Sequence, residues 1–395
     1  MPQRKCWFRM RRILGVFTTA LVLLVATLSA STYKVLYKFS GGADGASPNG
    51  LVFDKLGNLY GTTRAGGVTG NGTVFKLEPH PNGTWTQTVL HSFRGPDGAS
   101  PFAGLIFDGA GNLYGTTAQG GPACIYATGG CGVVFKLKPN SDGTWTESVL
   151  YRFKGGNSDG ATPLAGLVFD GAGNLYSTTS YGGPGGAGDV FQLKRNSNGT
   201  WTEKILYMFT GNGPDGYIPV SGLVFDAAGN LYGTTSQGGN MNCPALYGCG
   251  VAFRLTPDSD GSWTESLLHI FCSTADCADG SFPEAALVFD KAGNLYSTAA
   301  AAGGPPATNG TVFRLKLQSD GSWTEKVLHS FDREAAFPVA GLVFDAAGNL
   351  YGTASNGGPA DGGAVFKLSP YRAAAGRTLY FTFSWASPRS TRRPA

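Results

Sequence analysis

With 61 glycines in 395 residues, 12% aromatic and only 14% charged side chains, the chain excludes a long-helix protein, and its 42% apolar content excludes disorder. The net charge of +4 sits at the ends: residues 1–32 and 372–395 are basic and carry no acids. The body between them holds 20 basic and 26 acidic residues, about −6, which excludes the basic stripe of a nucleic-acid binder.

In chain order, Arg4, Lys5, Arg9, Arg11 and Arg12 precede an apolar run from Ile13 to Leu28 and the small residues Ser29, Ala30 and Ser31. This layout predicts a secretory signal over residues 1–30, cleaved near Ala30, with an uncleaved anchor as the alternative. The run is short for a membrane span, so no membrane association is expected beyond it.

From residue 33 to 370 the chain repeats. The phrase LVFD-x-x-GNLYGTT starts at Leu51 and returns, with small changes, at Leu105, Leu167, Leu223, Leu287 and Leu342. A period of this length with strand-sized apolar runs predicts a β-propeller. In the first copy the strands are Leu51–Phe53, Leu59–Thr63, Thr73–Leu77 and Trp85–Phe93. Asp54 to Asn58 forms one hairpin and Asn82-Gly83 the other, since Asp and Asn fold back on the following N–H groups and Gly takes a left-handed turn. The expected fold is all-β: a six-bladed propeller of four-stranded blades. The fourth strand follows only five copies. Tyr33–Phe39 (YKVLYKF) matches the missing one and is expected to close the last blade, with Thr378–Phe383 as the rival closure. Residues 371–395 are left as a basic tail.

Three phrases, LVFDxxGNLYGTT, GTVFKL and WTExVLHSF, cover residues 33 to 370 almost continuously. They resemble the Gloeo-Verruco (GloVer) tandem-repeat family of exported bacterial proteins. The resemblance implies an exported propeller-like protein with a variable C-terminal anchor and no established activity. The end of this chain carries no recognisable sorting signal, so its tail is not expected to anchor it.

Cys6 lies in the leader. The other six cysteines form close pairs, Cys124/Cys131, Cys243/Cys249 and Cys272/Cys277, which reads as disulfides in an exported chain. Metal ligation competes, but no histidine lies beside any pair.

Candidates for chemistry divide by face. Short uniform hairpins lie on one face, and the loops of variable length lie on the other, where binding usually resides. Asp54, Asp108, Asp170, Asp226, Asp290 and Asp345 read as hairpin residues. His91, His269 and His329 share a position with Tyr37, Tyr151 and Tyr207 and read as strand aromatics. Trp85, Trp145, Trp201, Trp263 and Trp323 read as packing, with sugar stacking as the alternative. Asp44, Asp97, Asp159, Asp215 and Asp279 precede Gly in the inter-blade loops. Turn formation is their default role, and a Ca²⁺ site is the alternative because calcium takes oxygen ligands. No other cofactor is expected.

No Ser-His-Asp set or distinguished pair of carboxylates emerges, so no catalytic residue is assigned. Off-pattern loop residues remain as ligand-binding candidates: Arg64, Tyr181, Asp189, Asn240 and Asp361. The sequence predicts a monomeric, secreted, non-catalytic propeller binding a glycan or protein on the variable-loop face. The competing readings are an extracellular hydrolase or lyase acting on a polysaccharide or lactone at the channel mouth, and a structural envelope component.

Overall fold

Six hairpin pairs, each a four-stranded antiparallel sheet, follow one another along the chain and make a six-bladed β-propeller. This computed structural model describes residues 35–385, except 212, 244, 246, 302–308, 333–334, 358–362 and 373–378. Residues 1–30, expected to form a signal, together with Tyr33 and Asp361, therefore lie outside the described residues. Among the described residues there is no α-helix, only a 3-10 turn at Ala275–Cys277, and no helix long and apolar enough to cross a membrane.

In the second blade the strands are Ile106–Phe107, Leu113–Thr117, Val133–Pro139 and Trp145–Arg152, and their order in the sheet is their order in the chain. The Asp hairpin holds the first two together. In the first blade Asp54 Oδ1 accepts the N–H groups of Leu56 (2.8 Å) and Asn58 (2.9 Å). Its Oδ2 accepts the Asn58 amide (2.7 Å) and the Tyr60 hydroxyl (3.2 Å). Asp345 makes the same four bonds at the far end of the repeat array. At the other hairpin Asn82 Oδ1 accepts both the Thr84 N–H (2.9 Å) and its hydroxyl (2.7 Å), so the Asn-Gly-Thr triplet has a turn function.

The core lies between blades. The Phe ending one fourth strand meets the Phe of the next third strand edge-on, as in Phe93–Phe135 (5.1 Å) and Phe331–Phe366 (4.9 Å). Second-strand Tyr60 likewise meets Phe107 (5.1 Å) and Trp145 (6.1 Å), so this tryptophan packs into the seam between blades. In every blade the residue before the inter-blade proline is left-handed: Ser47, Ser100, Thr162, Ile218, Phe282 and Phe337 have φ of 51–57°. The geometry lets one residue stitch two loops. Ile218 donates its N–H to the Ala187 carbonyl (3.0 Å), and its own carbonyl accepts from Ser236 (3.0 Å). Because the strain recurs at all six copies, it belongs to the architecture.

The closure differs from the sequence expectation. The fourth strand of the sixth blade is Leu379–Trp385, paired with Phe366–Arg372, rather than Tyr33–Phe39. A hairpin across a short connection closes a far smaller loop than a strand arriving from the other end of the chain, so its entropic cost is lower. Val35–Phe39 forms no strand. Instead Tyr37 and Phe39 pack against Leu59, Phe75, Leu77 and Trp85 of the first blade, with Phe39 and Phe75 edge-on at 5.0 Å.

Candidate functional site

The inter-blade aspartates act as loop clasps. Asp44 accepts the Tyr37 hydroxyl (3.0 Å) and the Ser40 N–H (2.8 Å). Asp97 takes His91 Nε2 (3.0 Å) and the Arg94 N–H (2.7 Å). Asp159 takes the Lys154 N–H (2.8 Å). Asp215 takes Tyr207 (3.2 Å) and the Thr210 N–H (2.9 Å). Asp279 takes His269 (3.1 Å), the Ser273 N–H (2.9 Å) and the Thr274 hydroxyl (2.8 Å). These bonds hold the Asp279 carboxyl well below the usual carboxylate range despite its burial.

The shared His/Tyr position is thus the donor to its own blade's loop, and each carboxylate is engaged locally. Among the described residues no three carboxylates or histidines come within reach of one cation. Cys243, Cys249 and Cys272 do cluster, but they are disulfide-bonded. The three pairs are Cys124–Cys131, Cys243–Cys249 and Cys272–Cys277, as the spacing suggests.

The off-pattern loop residues have separate fates. The exposed Arg64 guanidinium lies over the Phe102 ring at 4.9 Å. Asn240 ties two disulfide loops together, donating to the Cys272 carbonyl (2.7 Å) and accepting the Asn242 N–H (3.0 Å). Asp189 begins the third strand of blade three and is 0% exposed. Thr73, Val133, Val251 and Thr311 hold the same place in other blades. Burial pushes the Asp189 carboxyl far above its usual range, Glu203 and Asp159 push the same way, and the Thr179 hydroxyl opposes them. A side chain so enclosed belongs to the core and meets no solute.

Tyr181 is different. It stacks on Tyr126 with ring centroids 5.9 Å apart and planes at 10°. The Tyr126 ring itself lies over Gly155 and Gly186, close enough that an added Cβ at either would come within 3.1 Å of it. Beside them Tyr217 meets Tyr247 at 5.6 Å, and the Tyr217 hydroxyl is raised in pKa by burial and then by Tyr181, Tyr247 and Tyr126. Four tyrosines from the loops of blades two to four therefore share one patch, and Tyr247 is half exposed.

Tyr126 and Tyr247 lie inside disulfide loops, which limits the freedom of both. Sequence reading singled out Tyr181 alone. The missed signal is repeat disagreement: Tyr217 stands where other copies have Ala46, Ala99, Ala161, Ser281 and Ala336.

The profile of the Gloeobacter/Verrucomicrobia repeat matches residues 22–247 and 244–393. The chain belongs to this repeat family. A search of curated proteins found no match. Among solved structures, a proposed 6-phosphogluconolactonase from Bacteroides uniformis is similar, with TM-score 0.53 and 15% identity over 85% of each chain. A Bacillus licheniformis endo-arabinanase aligns over 71% of this chain and 97% of its own, with 13% identity and TM-score 0.36. A proposed glucose dehydrogenase from Thermus thermophilus aligns over 81% and 96%, with 16% identity and TM-score 0.42. At these identities the likeness is one of fold.

Proposed function

We propose that this repeat-family propeller is an exported, non-catalytic binding protein that takes a glycan across the tyrosine patch of its loop face. The observation carrying this reading is the gathering of Tyr126, Tyr181, Tyr217 and Tyr247, which break the repeat, into one aromatic surface on a rigid ring. Pyranose rings present apolar C–H faces that stack on aromatic planes, while phenol hydroxyls reach sugar hydroxyls. Three disulfides support export, because such bonds persist in oxidising compartments.

The enzymatic alternative has less support, since the inter-blade acids are engaged in loop clasps and Asp189 is enclosed. Binding is expected to be weak and multi-site, each ring contributing about 0.5–1.5 kcal/mol. Affinity electrophoresis against neutral and acidic polysaccharides tests this. Retardation by one class, reduced roughly 3- to 10-fold in Tyr181→Ala and unchanged in Arg64→Ala, is expected. No retardation by any glycan, or turnover of one, would overturn the reading.

A further inference from the structure

Two of the three disulfides lie against each other. Cys243–Cys249 closes a loop between the second and third strands of blade four, and Cys272–Cys277 closes one in the connection from blade four to blade five. All four cysteines belong to one buried cluster, and the sulfurs of Cys243, Cys249 and Cys272 lie within 4.8 Å of one another. Hydrogen bonds tie the two loops together on either side of these sulfurs. The Asn240 amide donates to the Cys272 carbonyl (2.7 Å), and the Phe282 N–H donates to the Cys249 carbonyl (2.9 Å). Asn240 also accepts the Cys243 N–H on its own carbonyl (3.3 Å), so one residue registers Cys243 against Cys272. Cys124–Cys131 has no second pair beside it and packs among aromatic and aliphatic side chains.

Backbone strain singles out the second loop. Among the described residues nine non-glycine residues have a left-handed φ, and six of them are the recurring residues before the inter-blade prolines. The other three are Cys272, Asp276 and Cys277, at φ of 53–58°, all inside one disulfide loop. Such conformations persist only where the surroundings enforce them. Here a covalent bond between residues five apart does so, and breaking it lets the backbone relax. Neither Cys243 nor Cys249 is left-handed.

We propose that this cluster is a thiol–disulfide exchange site, at which a small external thiol adds to Cys243 and leaves a new bond between Cys249 and Cys272. The entering thiolate attacks Cys243, which is 8% exposed against 2% for Cys249. A mixed disulfide forms, the Cys243–Cys249 bond breaks, and Cys249 leaves as a thiolate. Cys249 then attacks Cys272 within reach; the Cys249–Cys272 bond forms as Cys272–Cys277 breaks. Cys277 departs as a thiolate and takes up the proton that the entering thiol released to water. Two disulfides and one thiol are present before and after, so the thiol is the only co-reactant. The second step is intramolecular between groups held in place by the cross-loop hydrogen bonds, which favours it over a second external attack. It also releases the strained loop, which drives the exchange forward. The product opens the loop that carries Tyr247 and links the two loops covalently instead. This chemistry is independent of glycan binding.

Reduced glutathione is the probe. Folded wild-type protein is incubated with it, quenched in acid, labelled with N-ethylmaleimide and mapped for disulfide-linked peptides by mass spectrometry. The expected product carries glutathione on Cys243, a Cys249–Cys272 cross-link and the label on Cys277, with Cys124–Cys131 intact. Cys243→Ser gives a second measurement without added thiol: Cys249 starts unpaired, and the label should fall on Cys277 in place of Cys249. Three results would overturn the proposal: no uptake of glutathione, glutathione on Cys243 with the label on Cys249, or a Cys243→Ser protein that melts as the wild type does and is labelled on Cys249 with Cys272–Cys277 intact.

Discussion

Replacing Glu147, Glu203, Glu265 and Glu325 with Gln should raise stability at pH 8 and flatten its dependence on pH. These glutamates occupy one register position in the fourth strands of blades two to five, each opposite a third-strand Leu. Every one has a buried Oε1 without a hydrogen-bond partner. Burial, followed by the nearby loop aspartate, lifts their pKa values from 4.5 to about 7 for the first three and about 8 for Glu325. Below pH 4.5 these carboxyls are protonated in both folded and unfolded chains. Between about 4.5 and 7 to 8 the unfolded chain releases the protons and the folded chain keeps them, so stability falls through that window and then levels off.

The full linkage value for a group moved from 4.5 to 7 is about 3 kcal/mol. Partial exposure and solvent screening reduce this to roughly 1 kcal/mol per site. The first blade provides the control: Gln87 holds the same position, and its amide donates to the Asp44 carbonyl at 3.1 Å. Urea melts of the wild type and the fourfold Gln variant at pH 4, 6 and 8 measure the effect. A variant no more stable at pH 8, or a wild type whose stability stays level from pH 5 to 8, would refute the reasoning.

Asp189→Thr should stabilise the protein by about 1–3 kcal/mol at pH 7 by removing a buried carboxyl without a good partner. Because the folded pKa is raised, the gain should shrink as pH falls towards 4, which thermal melts at both pH values would reveal. Thr116→Val removes the shorter of two bonds to the Ala165 carbonyl, leaving only the Ser177 hydroxyl at 3.3 Å, and should cost about 0.5–1.5 kcal/mol in urea melts, while Thr353→Val, at an exposed site, should cost nothing measurable. Converting Cys124 and Cys131 to Ser opens a short loop and should cost about 2 kcal/mol. It should also weaken glycan retardation, since the loop carries Tyr126; equal retardation by both proteins would remove that loop from the site.

What the sequence made legible follows from repetition. Six copies of one phrase reveal which positions are shared, and shared positions are architecture: Asp54 and its equivalents are hairpin acceptors, and the aromatics at His91 and Tyr207 are donors to their own loops. The pairing of nearby cysteines was equally legible, because residues five to seven apart on a stiff loop have few other partners. The closure was harder to read. Tyr33–Phe39 matches the fourth-strand motif better than Leu379–Trp385 does, yet motif likeness carries no information about the entropy of bringing two distant ends together.

The loop face was half legible for a related reason. Disagreement between copies marks where function can sit, but it cannot distinguish an outward ring from an inward acid. Asp189 and Tyr181 depart from the repeat equally in sequence, and burial separates them. Asp189 points into a fully enclosed core and alters stability, while Tyr181 lies flat on Tyr126 among loops the ring holds still. The same distinction governs positions that the repeat shares. Leu51 and Leu105 are the same letter of the same phrase, at 54% and 5% exposure, and the phrase itself carries no sign of the difference. A repeat protein therefore specifies its internal interfaces many times over, while a single copy's departure from the phrase is specified once.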